Sequence, residues 1–279
     1  MNTPFSILIS VYEKERPDQL RQSLDSIFSQ TLRADEVVLV KDGPLYDELN
    51  DVVDDYAARY PELKVLPLPT NVGLGKALNE GIALCTHDIV ARMDTDDVAK
   101  PYRMERQIRF MEEHPEVDVL GSWLEEFRDD IDHIVSVKSV PMTHDELYAY
   151  GKWRNPINHP TVVMRKSAVE RAGGYQPCPQ FEDYCLWVRM MQSGARFHNL
   201  QESLVYFRMS DSMLQRRKGW KYISREFHAW RLFRQTGYIN TWQMCCSVLI
   251  RLLVRIMPNM LFSYIYTHHL HRQAEMRGN

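Results

Sequence analysis

Over its first 120 residues the chain alternates short, continuously apolar runs with segments of helical periodicity. Phe5–Val11, residues 37–40, residues 64–68, Ile89–Met93 and residues 117–120 are the apolar runs, several of them β-branched. Between them, Leu20, Leu24, Ile27 and Phe28 recur at three- and four-residue spacing. So do Leu45, Leu49, Val52, Val53 and Tyr56; then Ala77, Leu78, Ile82 and Cys85; then Met104, Ile108 and Met111. A strand that is apolar at nearly every position is buried on both faces, as parallel strands under helices are. The alternation therefore predicts an α/β fold: a mostly parallel sheet, helices on both faces and right-handed crossovers. Past Gly121 the alternation loosens, which predicts a second lobe built onto the same sheet.

In open α/β sheets, ligands bind beyond the carboxyl ends of the strands. Three polar clusters follow such ends here: Ser10, Val11, Tyr12 and Glu13; Asp42 and Gly43; and Asp94-Thr95-Asp96-Asp97. Three carboxylates in four positions repel one another unless they share a cation. Mg²⁺ and Mn²⁺ favour carboxylate oxygen and commonly hold substrate phosphates as well. An isolated cluster of this kind also suits a solvated turn before the helix near Pro101. The segment Asn71-Val72-Gly73-Leu74-Gly75-Lys76 resembles a phosphate loop, yet both the Walker spacing and a GxGxxG fingerprint are missing. Its glycines permit close backbone approach, and Lys76 near a helix start can face an anion. A plain glycine-rich turn is the simpler alternative.

At 279 residues, with 44% hydrophobic and 25% charged side chains, the chain is long enough for one large domain plus an appendage. The formal net charge of -3 gives no reason to expect a nucleic-acid partner. That total conceals two unlike parts. Residues 216–279 hold eleven Lys/Arg and two Asp/Glu, while the first 215 residues hold 23 and 35. Cys85, Cys178, Cys185, Cys245 and Cys246 show no metal-type spacing, and an odd, scattered set suggests reduced thiols in a cytosolic setting. The first residues lack a basic stretch followed by a long apolar one, so no secretory signal is expected.

The order ILISVY, VVLVKDG, NVGLGKALNEG, ARMDTDD, HPTVVMR and FEDYCLW resembles the family 2 glycosyltransferases of GT-A fold, in particular bacterial enzymes that build O-antigen, capsule or exopolysaccharide. The resemblance spans residues 4–212. It implies residues 1–215 as the transferase domain, with 1–120 binding the nucleotide-sugar and 121–215 the acceptor. Residues 216–279 would form a C-terminal helical extension. It also implies Ser10, Val11, Tyr12 and Glu13 at the nucleotide, Asp42 on the base, and Asn71 and Lys76 beside the ribose and diphosphate. Asp94 and Asp96 match the DxD motif, Asp94 reaching ribose or sugar and Asp96 a Mn²⁺ or Mg²⁺ ion; Asp97 leaves the register open by one. Asp183 matches the catalytic base. The QxxRW signature of processive synthases is not met at Gln215–Trp220, which implies a single-addition enzyme.

Such an enzyme moves one hexose, with inversion, from a UDP-sugar to a sugar acceptor on a polyprenyl diphosphate or an oligosaccharide. A sugar nucleotidyltransferase and an inactive sugar-nucleotide-binding scaffold are the alternatives. The first would need a basic, glycine-rich nucleotide loop near the N-terminus, which is missing at residues 10–17. Glu182 and Asp183 also suit the first turn of a helix on dipole grounds. Glu182, Trp187 and His159 are candidates for the acceptor side, although a packed turn histidine and a core tryptophan are the plainer readings. Arg208 is a candidate either for the diphosphate or for a surface salt bridge.

The apolar stretch 244–267, interrupted by Arg251, Arg255 and Pro258, reads as an amphipathic helix lying in a membrane interface. Its arginines would then face anionic headgroups, and the enzyme would sit peripherally on the inner face of the cytoplasmic membrane. A helical hairpin packed on the core, alone or in a homodimer, is the alternative.

Overall fold

The computed structural model describes residues 3–209 and 220–256, the side chains of Lys221 and 252–256 excepted. The expected alternation is present: β1 Phe5–Val11, α1 Pro17–Phe28, β2 Glu36–Lys41, α2 Asp47–Arg59, β3 Leu63–Pro67, α3 Leu74–Leu84 and β4 Ile89–Met93. Next come β5 Val98–Ala99, α4 Arg103–Glu113, β6 Val119–Phe127, β7 Ile134–Lys138 and α5 His144–Tyr150. A 3₁₀ turn His159–Thr161 precedes β8 Val163–Arg165, α6 Lys166–Arg171, α7 Glu182–Gln192 and β9 Phe197–Arg208. A hairpin of α8 Trp220–Gln235 and α9 Thr241–Ile256 follows.

One sheet runs β3-β2-β1-β4-β8-β6-β9-β5, with β7 added to β6. It is parallel from β3 to β4 and mixed beyond, where β8 runs antiparallel to β4 and β6 while β6 and β9 run parallel. Alternate residues of each strand feed opposite cores. Ile7, Ile9, Val37 and Leu39 pack under α1, α2 and α4. Leu8, Val38, Val40 and Val90 pack under α3 and α7. The helical stripes expected from the sequence are the buried ones: Leu20, Leu24, Ile27 and Phe28 on α1, and Met104, Ile108 and Met111 on α4.

The hairpin differs from the expected interfacial helix in the direction of one arginine. Trp230 and Phe233 of α8 are 1% exposed and pack against Tyr184 of α7. Arg251 of α9 does not face outward. It pairs with Glu226 at 2.7 Å, donates to the Trp153 carbonyl at 2.6 Å and lies over the Trp230 ring. The Glu226 side chain is 5% exposed and would be a costly buried charge without a partner, so the arginine turns in to it. Arg255's side chain and residues 257–267 of the expected helix lie outside the described residues. No described helix is long and apolar enough to cross a membrane.

The cysteines also differ from expectation. Cys178 and Cys185 form a disulfide across the first turn of α7, where the chain folds back on itself; Cys85, Cys245 and Cys246 are free.

Candidate active site

The parallel register places three strand ends side by side. Val11 pairs with Lys41 and Ile9 with Met93, so residues 10–13, 42–43 and 94–97 leave the sheet at one edge. Ser10 and Tyr12 are half-buried and Glu13 is exposed, while the Val11 side chain is wholly buried in the core. Val11 therefore has only its backbone to offer a ligand.

Asp42 is 4% exposed and accepts two backbone hydrogen bonds, from Val72 at 2.7 Å and Gly73 at 3.1 Å. It thus ties the glycine-rich loop to the end of β2. Gly43 permits this closeness: its φ is +90°, and a Cβ there would lie 2.6 Å from the Asn71 nitrogen. Gly73, at φ +87°, then starts α3, whose first turn exposes Lys76 beside free amide ends. Asn71 is also exposed. On its other side the turn abuts α7, for a Cβ on Gly75 would lie 3.3 Å from both Glu182 Cγ and Tyr175 Cβ. Asn79 fixes this junction, accepting from the Tyr175 amide and donating to its carbonyl, each at 2.7 Å.

Asp94, Asp96 and Asp97 bring carboxylate oxygens within 4.8 Å of one another. The loop is held from three sides. Ser23 of α1 donates to the Asp94 carbonyl at 2.8 Å, and Arg208 Nε at the end of β9 donates to the Asp96 carbonyl at 3.0 Å. The Arg208 amide donates to Asp97 Oδ1 at 2.9 Å, and its guanidinium lies over the Phe127 ring. Burial, and then the Asp94 charge, push the Asp96 carboxyl up to about 6. Burial and both neighbouring carboxylates raise Asp97 further. Asp97 is 0% exposed and its Oδ2 has no hydrogen-bond partner. A buried, unsatisfied carboxylate oxygen within a cluster of three is what a divalent cation site offers. The donor set therefore fits Mn²⁺ or Mg²⁺.

Asp183 lies in the first turn of α7, preceded by Gln180 at the unusual φ of 70° for a non-glycine residue. Its Oδ2 accepts from Asn155 Nδ2 at 2.6 Å. Burial raises the Asp183 carboxyl above its ordinary value; the Tyr184 amide, Asn155 and the Arg92 charge pull it partly back. Burial also raises Glu182, one position earlier.

The acceptor-side candidates separate. Trp187 is 0% exposed within the core, so its face is closed to a sugar and the expectation of an acceptor platform is corrected. The residues around it are largely apolar, and removing the large indole surface from water outweighs any stacking it could offer a sugar. His159 lies 2.8 Å from the Tyr175 hydroxyl and edge-on to Trp187. Burial, then the nearby Arg92 charge, hold it well below the usual histidine range, so its ring is neutral.

Two residues of the site were not expected from the sequence. Asn155, in a loop 28 positions before Asp183, carries no local signal. Arg92 does: it is a charged residue inside a strand whose five positions are all buried. It is 2% exposed, pairs with Asp94, and has no partner for Nε or Nη1.

Comparison with known proteins identifies the family and the fold. The sequence model of Glycosyl transferase family 2 matches residues 6–173. The chain is 43% identical over 265 residues to the amylovoran biosynthesis glycosyltransferase AmsE of Erwinia amylovora, covering 94% of this chain and 97% of that protein. It is 37% identical over 266 residues to the UDP-Gal:alpha-D-GlcNAc-diphosphoundecaprenol beta-1,3-galactosyltransferase of Escherichia coli, covering 95% and 96%. Among solved structures, S. aureus TarS 1-349 in complex with UDP-GlcNAc superposes with a TM-score of 0.65 at 18% identity, over 83% of this chain and 66% of that one. The mannosyltransferase PcManGT of Pyrobaculum calidifontis, in complex with GDP-Man and Mn2+, gives 0.63 at 15%, over 100% and 77%. These two share the GT-A fold. The family model covers more than half of the chain and the relatives match along almost all of it, so the chain belongs to glycosyl transferase family 2 and is a glycosyltransferase.

Proposed function

We propose that the enzyme moves one hexose from a UDP-sugar to a hydroxyl of a sugar carried on a polyprenyl diphosphate, inverting the anomeric centre, during bacterial surface polysaccharide assembly. The observation that carries this reading is Asp183, a partly buried carboxylate held by Asn155 beside the loop that Asp42 anchors. The name of the E. coli relative supplies the donor and acceptor classes, and the UDP-GlcNAc complex of TarS agrees with a uridine donor.

In this reading Asp42 and residues 10–13 border the base, with Asp42 keeping the loop of Asn71 and Lys76 closed over ribose and diphosphate. Asp94, Asp96 and Asp97 would hold Mn²⁺ or Mg²⁺, which when bound offsets the charge of the diphosphate leaving group as a Lewis acid. The acceptor oxygen attacks the anomeric carbon, and the bond from that carbon to the β-phosphate oxygen breaks. UDP leaves with the electron pair, and Asp183 takes the hydroxyl proton. Attack opposite the leaving group converts an α-linked donor to a β-linkage. A general base of this kind contributes roughly 10²–10⁴-fold. The lipid on the acceptor places the reaction at the inner face of the cytoplasmic membrane.

The test is nucleoside diphosphate release from UDP-galactose, UDP-glucose, their N-acetyl forms and GDP-mannose, with Mn²⁺ and a lipid-diphosphate N-acetylglucosamine, followed by NMR of the product's anomeric proton. Acceptor-dependent release with a β-configured product is expected. Diphosphate exchange in place of transfer would move the assignment to a nucleotidyltransferase, and release only from GDP-mannose would overturn the uridine donor.

A further inference from the structure

The C-terminal hairpin presents a face that nothing described covers. On α9, the inward side carries Ser247, 3% exposed, and Arg251, which is tied to Glu226 and to the Trp153 carbonyl. The opposite side is apolar and open: Trp242 is 69% exposed, Leu249 56% and Ile250 54%, with Cys245 exposed between them. At 100° per residue, Trp242, Leu249 and Ile250 fall within about a quarter turn of one another, on one stripe. On α8, Trp220 is 80% exposed and Phe227 48%, and they border a mostly apolar cleft of about 360 Å³ whose α9 wall is Val248 and Arg251. An amphipathic helix normally turns its cations to water, whereas Arg251 of α9 faces inward and Trp242, Leu249 and Ile250 face out. A stripe of large apolar side chains on the outside calls for an apolar environment.

Charge selects among the possible environments. Arg231 and Arg234 of α8 are exposed, and residues 216–279 hold eleven Lys/Arg against two Asp/Glu. A second copy of this strongly basic segment would repel the first, whereas anionic lipid headgroups would attract it. We infer that the outward stripe of Trp242, Leu249 and Ile250 seats the α8–α9 hairpin in the interface of an anionic bilayer. The site chemistry follows from the anchorage. Arg251 grips the carbonyl of Trp153, two residues before the Asn155 that holds Asp183, and Tyr238 of the hairpin donates to the Tyr148 carbonyl at 2.8 Å. The membrane depth of the hairpin thereby sets the height of the proposed base above the lipid surface. This last step rests on the lipid-linked acceptor of the proposed function; the docking itself does not.

The experiment is flotation of the full chain with phosphatidylglycerol/phosphatidylcholine vesicles, alongside the variants Trp242→Glu and Leu249→Glu/Ile250→Glu. The wild type is expected to float in a salt-sensitive manner and only with the anionic vesicles. The bound fraction should fall about tenfold or more in the double variant. Transfer to a short-tailed, water-soluble acceptor should be unchanged and transfer to a vesicle-embedded acceptor reduced. If no sugar transfer occurs at all, the flotation result still decides the docking. Three outcomes overturn the inference: equal flotation of wild type and variants, a dimer that the substitutions convert to monomer without affecting flotation, or a lowered Tm with flotation intact. The second would assign the stripe to a subunit contact, the third to packing against the chain's own last residues.

Discussion

The side-chain amide of Asn155 donates a 2.6 Å hydrogen bond to Oδ2 of Asp183 and so holds the proposed base in the first turn of α7. A hydrogen bond to an ionised acceptor favours the ionised form. Asp183→Asn should abolish transfer while UDP affinity, read by calorimetry, stays near wild type. Asn155→Ala should leave a weakened enzyme whose kcat needs a higher pH to reach its plateau. The sign follows from the role: the base works only when ionised, burial already raises it, and loss of Asn155 raises it further. The acid limb should move to higher pH. A limb that stays in place would remove Asn155 from the base.

Asp97 has one oxygen bound to the Arg208 amide and the other buried without a partner. If that oxygen serves a cation, Asp97→Asn should weaken Mn²⁺ binding about tenfold or more, as should Asp96→Asn, with far-UV circular dichroism unchanged. Wild-type Mn²⁺ affinity in Asp97→Asn would confine Asp97 to holding the end of β9.

Gly43 sits at φ +90° with the Asn71 backbone where a side chain would go. Gly43→Ala should cost about 1–3 kcal/mol of local strain. The strain falls on the loop that Asp42 anchors, so UDP affinity should drop about tenfold while the protein remains folded. A variant that binds UDP normally would show that the loop does not contact the nucleotide.

Glu36 opens β2 at the far end of the sheet, 2% exposed, and accepts from Ser6, Lys64 and the Thr86 amide. Burial opposes its ionisation, but these donors, Lys64 foremost, bring it from 4.5 to about 2. A depressed carboxyl stabilises the fold fully above its unfolded value, and that contribution is lost as pH falls from 4.5 through about 2. Glu36→Gln should cost about 2 kcal/mol at pH 7, a figure reduced because solvent reaches Lys64. Urea unfolding should show the gap from wild type closing between pH 4.5 and 2.

Trp187 decides whether the acceptor side reaches into the core. Trp187→Ala should destabilise by about 3–5 kcal/mol through the cavity it leaves. Trp187→Phe should keep both Tm and acceptor KM near wild type, because the indole Nε1 has no hydrogen-bond partner to lose. A large rise in acceptor KM for the Phe variant would return this residue to the acceptor pocket.

Apolar periodicity alone marked the parallel strands β1 to β4, the helices that cover them and the polar clusters at their ends, but not the mixed half of the sheet beyond β4. Apolar periodicity is a local signal, and the run Ile89–Met93 ends where the strand does. Because β1, β2 and β4 are parallel, knowing that Ser10, Asp42 and Asp94 close their strands was enough to put them on one edge. Local pattern cannot name a distant partner. Asn155 beside Asp183, Glu182 against Gly75 and Arg208 locking Asp97 join segments 28 to 111 positions apart. Direction was decided in the same way. Trp187 and Arg251 each lie on helices expected from the sequence, but neighbouring elements chose the side they face. Complete burial was the lower-energy place for an indole among apolar groups. For the arginine, Glu226 would be a costly buried charge without a partner, and the apolar stripe of α9 was left facing out.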